Sequence, residues 1–341
     1  MIPVSNNIMC RVTPPILSIC IPTFNRKVFL YQALQSIICQ LNDKLAKMTE
    51  IVISDNASSD GTDKMIDDLR SAFQNHQIRY YRQSVNIGAV RNVCFLARSA
   101  NGSFVYLMSD DDTMIPGALE KIIGMIQSQP NLDAICPGYC SLGDAFSESN
   151  ISTIQNTECL IHYKDEALIR LGTMLTFISS VIFSKEVIAK VHVNNPENNF
   201  PHSFIFLESI SQGNGCLFLT KPCVAARPNY SVSCDLIQVY VTDFVELLEY
   251  AKQIGYSSQA TRTVLSKHAK WLVSNICQFR KTCYRPSLQK RIQDSKTIYK
   301  IWLYNPLALL CIEAAMWLPI SFLDRLRFIF KSVRNSYIKG T

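Results

Sequence analysis

The stretch Tyr106–Pro116, YLMSDDDTMIP, sets an apolar run directly against Ser109 and three consecutive carboxylates, Asp110, Asp111 and Asp112. Like charges side by side repel, so the cluster calls for a compensating cation. A pair of carboxylates at this spacing can grip a divalent cation, and that cation can bridge the phosphates of a nucleotide. The same cluster reads equally well as a solvated acidic turn capping a helix that starts near Pro116. A second stretch, IVISDNASSDGT, sets Asp55 one residue past another apolar run. Asp60, Gly61 and Thr62 have the residue types of a turn and helix cap. A third, NIGAVRN, puts Asn86 and Gly88 in a tight loop and Arg91 in the first turn of a helix. A cation is unfavourable there on dipole grounds, and an anionic ligand at the helix start removes the conflict. A plain surface arginine is the alternative.

These residues need a frame that brings them together. Ile16–Ile21 is a continuous apolar run with one serine, as expected of a strand buried on both faces. Leu30, Leu34, Ile37 and Ile38 give helical periodicity over 27–40. Strands are expected at 50–54, 78–82 and 103–108, with helices at 62–75 and 89–100 between them. Such alternation means βαβ units and a mostly parallel sheet with helices on both faces, an α/β fold. In these sheets ligands bind outside the carboxyl ends of the strands, so the three motifs should share one crevice. Beyond 125 the pattern loosens. Strands are expected at 133–142, 175–184 and 215–227, and helices at 163–172, 185–191 and 202–212. From 236 the chain reads as all-helical. The expected units are therefore a sheet domain over 1–235, regular over 16–125 and looser over 126–235, and a helical region over 236–341.

In order and spacing, LSICIPTFNR, EIVISDNASSDGT, NIGAVRN and FVYLMSDDDTMIPGAL resemble the family 2 glycosyltransferases of GT-A fold. The likeness is greatest to bacterial enzymes that build O-antigen or capsule repeats, including the abequosyltransferase type. It implies a nucleotide-sugar donor, a saccharide acceptor on a polyprenyl diphosphate, and Mn²⁺ or Mg²⁺ as cofactor. Pro22, Phe24, Asn25, Asp55, Asn86, Arg91 and Asp110 fall at donor-binding positions. Asp111, with Asp110, falls at the metal position, and Asp112 lies toward the acceptor. Ser109 stands where many members carry the first aspartate of a D-x-D. The family inverts the anomeric centre by direct displacement, which needs a general base on the acceptor side. The corresponding stretch, NNFPHSFIFLESISQG, offers Glu208 first and His202 second. Arg227 and Asn229, in ARPNYS, resemble residues that close the site.

Composition bounds the rest. With 341 residues, 48% of them hydrophobic and 18% charged, the chain can bury a sizeable core. None of the 13 cysteines forms a C-x-x-C, which fits a reducing compartment without structural zinc. MIPVSNNIMCRVTPP lacks an apolar signal region, so a cytoplasmic protein is expected. Residues 306–323 are almost wholly apolar, but Glu313 in the middle would cost about 2.5–3.5 kcal/mol at a bilayer centre. Arg325, Arg327, Lys331, Arg334 and Lys339, interleaved with Phe328, Ile329 and Phe330, suit anionic headgroups at the inner face of the cell membrane. A helix packed on the catalytic domain with a solvated basic face is the alternative. This charge is not laid out for nucleic acid. Two other classes compete. A non-catalytic GT-A protein could bind nucleotide sugar or scaffold a membrane assembly, but Asp110 and Asp111 are both present. A nucleotidyltransferase would carry a glycine-rich phosphate loop, and IPTFNRK has no glycine.

Overall fold

The structure, a computed structural model, describes residues 14–74, 77–141, 158–188, 198–227, 237–282, 310–312 and 317–318. Its first half alternates as the periodicity predicts: β1 Leu17–Thr23, α1 Lys27–Ile38, α2 Asp43–Met48, β2 Thr49–Asp55, α3 Thr62–Ala72, β3 Gln77–Arg82, α4 Ala89–Ser99 and β4 Phe104–Leu107. After these come β5 Thr113–Met114, α5 Ala118–Ser128, β6 Ala134–Ser141, β7 Cys159–Ile161, α6 Lys164–Leu171, β8 Ile182–Ser184, α7 Pro201–Ile210 and β9 Cys216–Ala226. A π-helical turn, Gln238–Asp243, leads into α8 Phe244–Gln253 and α9 Ser258–Thr282.

The strands form one sheet in the order β3-β2-β1-β4-β8-β6-β9-β5, with β7 on β9. The first four are parallel. β8 runs antiparallel to both β4 and β6, and β5 and β7 run antiparallel to β9, so the sheet as a whole is mixed. The 175–184 stretch is a strand only at its end. Ahead of β8 lie 3₁₀ turns at Gly172–Thr176 and Ile178–Ser180. There the Ser180 hydroxyl bonds the Phe177 and Met174 carbonyls, a local alternative to ladder pairing. The expected 185–191 helix is a single 3₁₀ turn, Lys185–Val187, and 189–191 lie outside the described residues.

Period-two alternation sorts the central strands onto two cores. Leu17, Ile19 and Ile21, with Ile51, Ile53 and Tyr106, face α1, α3 and α5. Cys20, Val52, Val105 and Leu107 face α4 and α7, and the same core takes in Phe244, Leu247 and Val264 of the C-terminal helices. α1 buries Leu30, Ala33, Leu34, Ile37 and Ile38, one helical stripe. Each buried leucine or isoleucine there contributes about 1.5–3 kcal/mol. This packing fixes both strand ends and helix starts, and so the loops of the crevice.

Candidate active site

β4 delivers the carboxylates. Met108 still donates to Cys20 O of β1, at 2.9 Å. The chain then turns at Ser109, whose hydroxyl donates to Asp111 Oδ1 at 2.5 Å and whose N–H donates to Ser179 Oγ at 2.9 Å. Asp110 and Asp112 are buried. Thr23 Oγ1, at the end of β1, donates to Asp110 Oδ2 at 2.7 Å. One nitrogen of Arg26 lies 3.1 Å from Asp110 Oδ1 and 3.1 Å from Asp111 Oδ2. Asp112 accepts from Ser179 Oγ at 2.6 Å and from the Arg227 N–H at 3.3 Å.

Burial first, then the neighbouring Asp111 charge, pushes Asp110 up to about 6, against the pull of Arg26 and Thr23. Burial likewise pushes Asp112 up to about 7, although the Ser179 hydrogen bond opposes it. Both carboxyls are held above their ordinary range chiefly because the turn buries them away from water.

The other motifs close in from the β1–β3 side. Asp55, wholly buried at the end of β2, accepts from the Ser58 N–H at 2.8 Å and from the Tyr80 hydroxyl at 2.7 Å. Arg82 Nε lies 3.9 Å from it. Asn25 takes a left-handed φ of 52° and accepts from the Ser59 N–H at 2.8 Å. Asp60 caps the start of α3 through Thr62 and also accepts from the Lys27 N–H of α1, tying the first two loops together. Asn56 Nδ2 donates to Asn86 Oδ1 and Asn56 Oδ1 accepts from the Ile87 N–H, which draws the third loop in. Pro22 is half-buried and Phe24 is 41% exposed. Arg91 is exposed, with no hydrogen bond or ion pair among the described residues.

The acceptor-side expectations divide. α7 is ten residues, about 15 Å long, and runs away from the crevice. His202 sits at its near end, where Nε2 meets Leu175 O at 3.0 Å in the segment that leads to Ser179. Burial lowers its pKa to about 4, so it is neutral at pH 7. Glu208 sits at the far end and is not brought into the crevice. The adjacent Ser209 hydroxyl donates to Asp133 O, which also accepts from the Ser184 N–H beside Phe104 at the opposite end of β4. From Phe104 to Asp110 is roughly 15–20 Å of chain. Glu208 instead accepts from the Tyr250 hydroxyl of α8. The sequence does carry a signal for the near end, since His202 follows Pro201 at the helix start, but Glu208 ranks first there as the one carboxylate inside the helix.

Arg227 lies against the turn. Its Nε donates to Asp111 O at 3.3 Å, an Nη donates to Gln32 Oε1 at 2.7 Å, and the guanidinium lies over Phe29. Asn229 lies outside the described residues. Sequence reasoning missed Arg26, Thr23 and Ser179. Arg26 was visible as a cation just past the first strand. Ser179 had no signal, since its role depends on a contact 67 residues away in sequence.

Among the described residues no group of three or more His, Cys, Asp or Glu side chains gathers around one point as a closed metal site. No helix among them is long and apolar enough to cross a membrane.

The family model for glycosyl transferase family 2 matches residues 18–189. Over 299 residues the chain is 29% identical to the abequosyltransferase RfbV of Salmonella typhimurium, covering 81% of this chain and 86% of that protein. Over 110 residues it is 34% identical to the GalNAc(5)-diNAcBac-PP-undecaprenol beta-1,3-glucosyltransferase of Campylobacter jejuni, covering 32% and 34% of the two chains. Among solved structures, S. aureus TarS 1–349 in complex with UDP-GlcNAc superposes with a TM-score of 0.62 at 13% identity, over 95% of this chain and 92% of that one. The mannosyltransferase PcManGT from Pyrobaculum calidifontis, in complex with GDP-Man and Mn²⁺, gives a TM-score of 0.55 at 14% identity, over 89% and 85%. At these identities the structural likeness speaks for the fold.

Proposed function

The chain belongs to glycosyl transferase family 2, and on that footing we propose that it moves a sugar from a nucleotide-sugar onto a saccharide carried by a polyprenyl diphosphate, in the assembly of a bacterial surface polysaccharide such as O-antigen. The acceptor class follows the name of the Campylobacter relative, which carries an undecaprenol-PP-linked saccharide. One observation carries the catalytic reading. Asp110 Oδ1 and Asp111 Oδ2 converge on one cationic nitrogen, that of Arg26, at the carboxyl end of a parallel strand.

A divalent cation fits the same place. Arg26 acts as the stand-in cation between the two carboxylates. The donor set is all oxygen, which suits Mn²⁺ or Mg²⁺. With one or two protein carboxylates, such ions complete their coordination with substrate phosphates and water, so no closed cluster is required. Asp111 and Asp110 would hold the ion, which would supply charge neutralisation for the departing nucleoside diphosphate.

The side chains around it divide the remaining work. Pro22, Phe24, Asn25 and Asn86 form the donor wall with Asp55 buried behind it, and Arg91, unpaired among the described residues, offers a cation to the donor's negative charge. Arg227 latches the end of β9 over the turn. Asp112, with both oxygens bonded, positions Ser179 and Arg227. The acceptor hydroxyl attacks the anomeric carbon as the bond to the diphosphate breaks, inverting the centre. With Glu208 at the far end of α7, His202 is the titratable side chain left on the acceptor segment. We assign it the proton: Nε2–H donates to Leu175 O, and this tautomer leaves the Nδ1 lone pair to accept. Docking at the inner membrane face falls to the basic tail, which lies outside the described residues.

A thermal-shift panel of UDP, GDP, CDP and dTDP, with and without Mn²⁺, tests the reading. At least one should stabilise the protein in a metal-dependent way, and Asp111→Ala should abolish the shift. No metal-dependent shift with any of them would overturn it.

A further inference from the structure

The sheet holds an aromatic pair that the donor site does not use. β6 breaks register with β9 on either side of Gly138. Pro137 has no N–H to give the ladder there. A Cβ at Gly138 would lie 2.7 Å from Lys221 O and 2.8 Å from Leu219 O, so only glycine allows the backbones to approach this closely. Such a bulge re-aims the side chain that follows. That side chain is Tyr139, 47% exposed, its ring resting on Phe177 at 5.1 Å between centroids. No described residue hydrogen-bonds its hydroxyl. A large aromatic held outward on a second aromatic, next to a register break, is a poor use of apolar surface unless something covers it.

The pair has a definite place. Phe177 is two residues before Ser179, the residue that bonds Asp112. Tyr139 faces Val224 of β9, and Val224 faces Met114, two residues past Asp112. One strand therefore separates Tyr139 from Met114, about 10 Å over two strand spacings, and the carboxylate turn lies two residues from Met114. The donor residues lie on β1, β2 and the loop after β3, on the other side of β4. The aromatic pair thus flanks the reacting centre on the acceptor side.

We propose that Tyr139, backed by Phe177, is a stacking platform for a pyranose ring of the saccharide acceptor, an inference that rests on the glycosyltransferase reading above. A pyranose presents a face of C–H groups that an aromatic ring can cover while its hydroxyls stay hydrated. Tyrosine suits this, with an apolar face and a polar edge.

The test uses the full chain with Mn²⁺ and the nucleoside diphosphate that stabilises it. Methyl glucoside, methyl galactoside and methyl mannoside serve as probes in ligand-observed saturation-transfer NMR. The intact protein should transfer saturation to ring C–H protons of at least one probe. Tyr139→Ala should weaken that transfer about tenfold, as truncation of an aromatic anchor does, and Tyr139→Phe should retain it. The Tyr139→Ala melting temperature should stay within about 2 °C of the intact protein, the range of exposed substitutions. The platform is overturned if no probe contacts the intact protein, if contact survives Tyr139→Ala, or if that variant melts far lower and so reveals packing. The nucleotide shift, read on the same samples, keeps the two claims apart. Its absence in the intact protein refutes the donor reading, whereas its persistence without pyranoside contact refutes only the platform.

Discussion

Exchanging Glu208 and His202 in turn asks which end of α7 does chemistry. Glu208→Gln keeps an acceptor oxygen for the Tyr250 hydroxyl, so stability should change by less than about 1 kcal/mol. Six residues separate Glu208 from His202, about 9 Å along the axis. A proton can be taken only within about 2.6–3.2 Å or through one water. Glu208→Gln should therefore leave turnover within about twofold. His202→Asn removes the Nδ1 lone pair assigned to the acceptor proton, and turnover should fall about 10²–10⁴-fold with donor affinity nearly unchanged. The assay is incorporation of labelled sugar from the donor into lipid-extractable product. Nucleotide affinity and melting temperature are measured alongside, because His202→Asn also disturbs the bond to Leu175 O. A hundredfold loss in Glu208→Gln with an intact melting curve would refute the placement of the far end of α7. Near-normal turnover in His202→Asn would remove the base from that residue.

Arg26→Gln removes the cation that balances Asp110 and Asp111. Without metal the variant should lose about 1–3 kcal/mol, and Mn²⁺ should restore more stability to it than to the intact protein, both read from denaturant curves. His268, buried against Phe244 and Trp271, has its pKa lowered to about 4 by burial. Between pH 6.5 and 4 the unfolded chain binds a proton there that the folded chain does not, so this group's contribution rises with pH and is lost on acidification. Asp110 and Asp112, raised by burial, act oppositely in the same window, so the comparison is with His268→Asn. From pH 6.5 to 4 the intact protein should lose up to about 3 kcal/mol relative to that variant. Deleting 324–341 should leave the metal-dependent nucleotide shift intact and weaken sedimentation with anionic vesicles, and replacing the five basic residues by Gln should do the same. Vesicle binding that survives both changes would remove the tail from membrane docking.

What the sequence revealed was what repeats locally. The apolar runs of β1, β2 and β4 and the helical stripe of α1 are one-dimensional patterns, and they put the three loops at one end of a parallel sheet before any contact was known. The carboxylate turn was legible for the same reason, since it follows a strand end. Contacts made at long range were not legible. Glu50, the second residue of β2, carries a charge yet is buried, its partners Ser18, Arg79 and Asn101 drawn from three separate stretches. Ser179 came from a segment that alternates plausibly as a strand, and only its serine-to-carbonyl bonds show why it turns instead. The antiparallel insertion of β8 between β4 and β6 breaks no sequence pattern, because a buried strand reads alike in either direction. Glu208 and His202 share one helix, and which end meets the crevice depends on Ser209 finding Asp133.

The central claim is that the turn at 110–112 holds a nucleoside diphosphate through a divalent cation. Calorimetric titration of the nucleotide that stabilises the protein, with and without Mn²⁺, into the intact chain and into Asp111→Asn, measures this directly. The intact chain should bind at least tenfold more tightly with Mn²⁺, about 1.4 kcal/mol, and Asp111→Asn should lose that gain while keeping its metal-free affinity. Equal affinity with and without the metal, or a metal gain undiminished in Asp111→Asn, would contradict it.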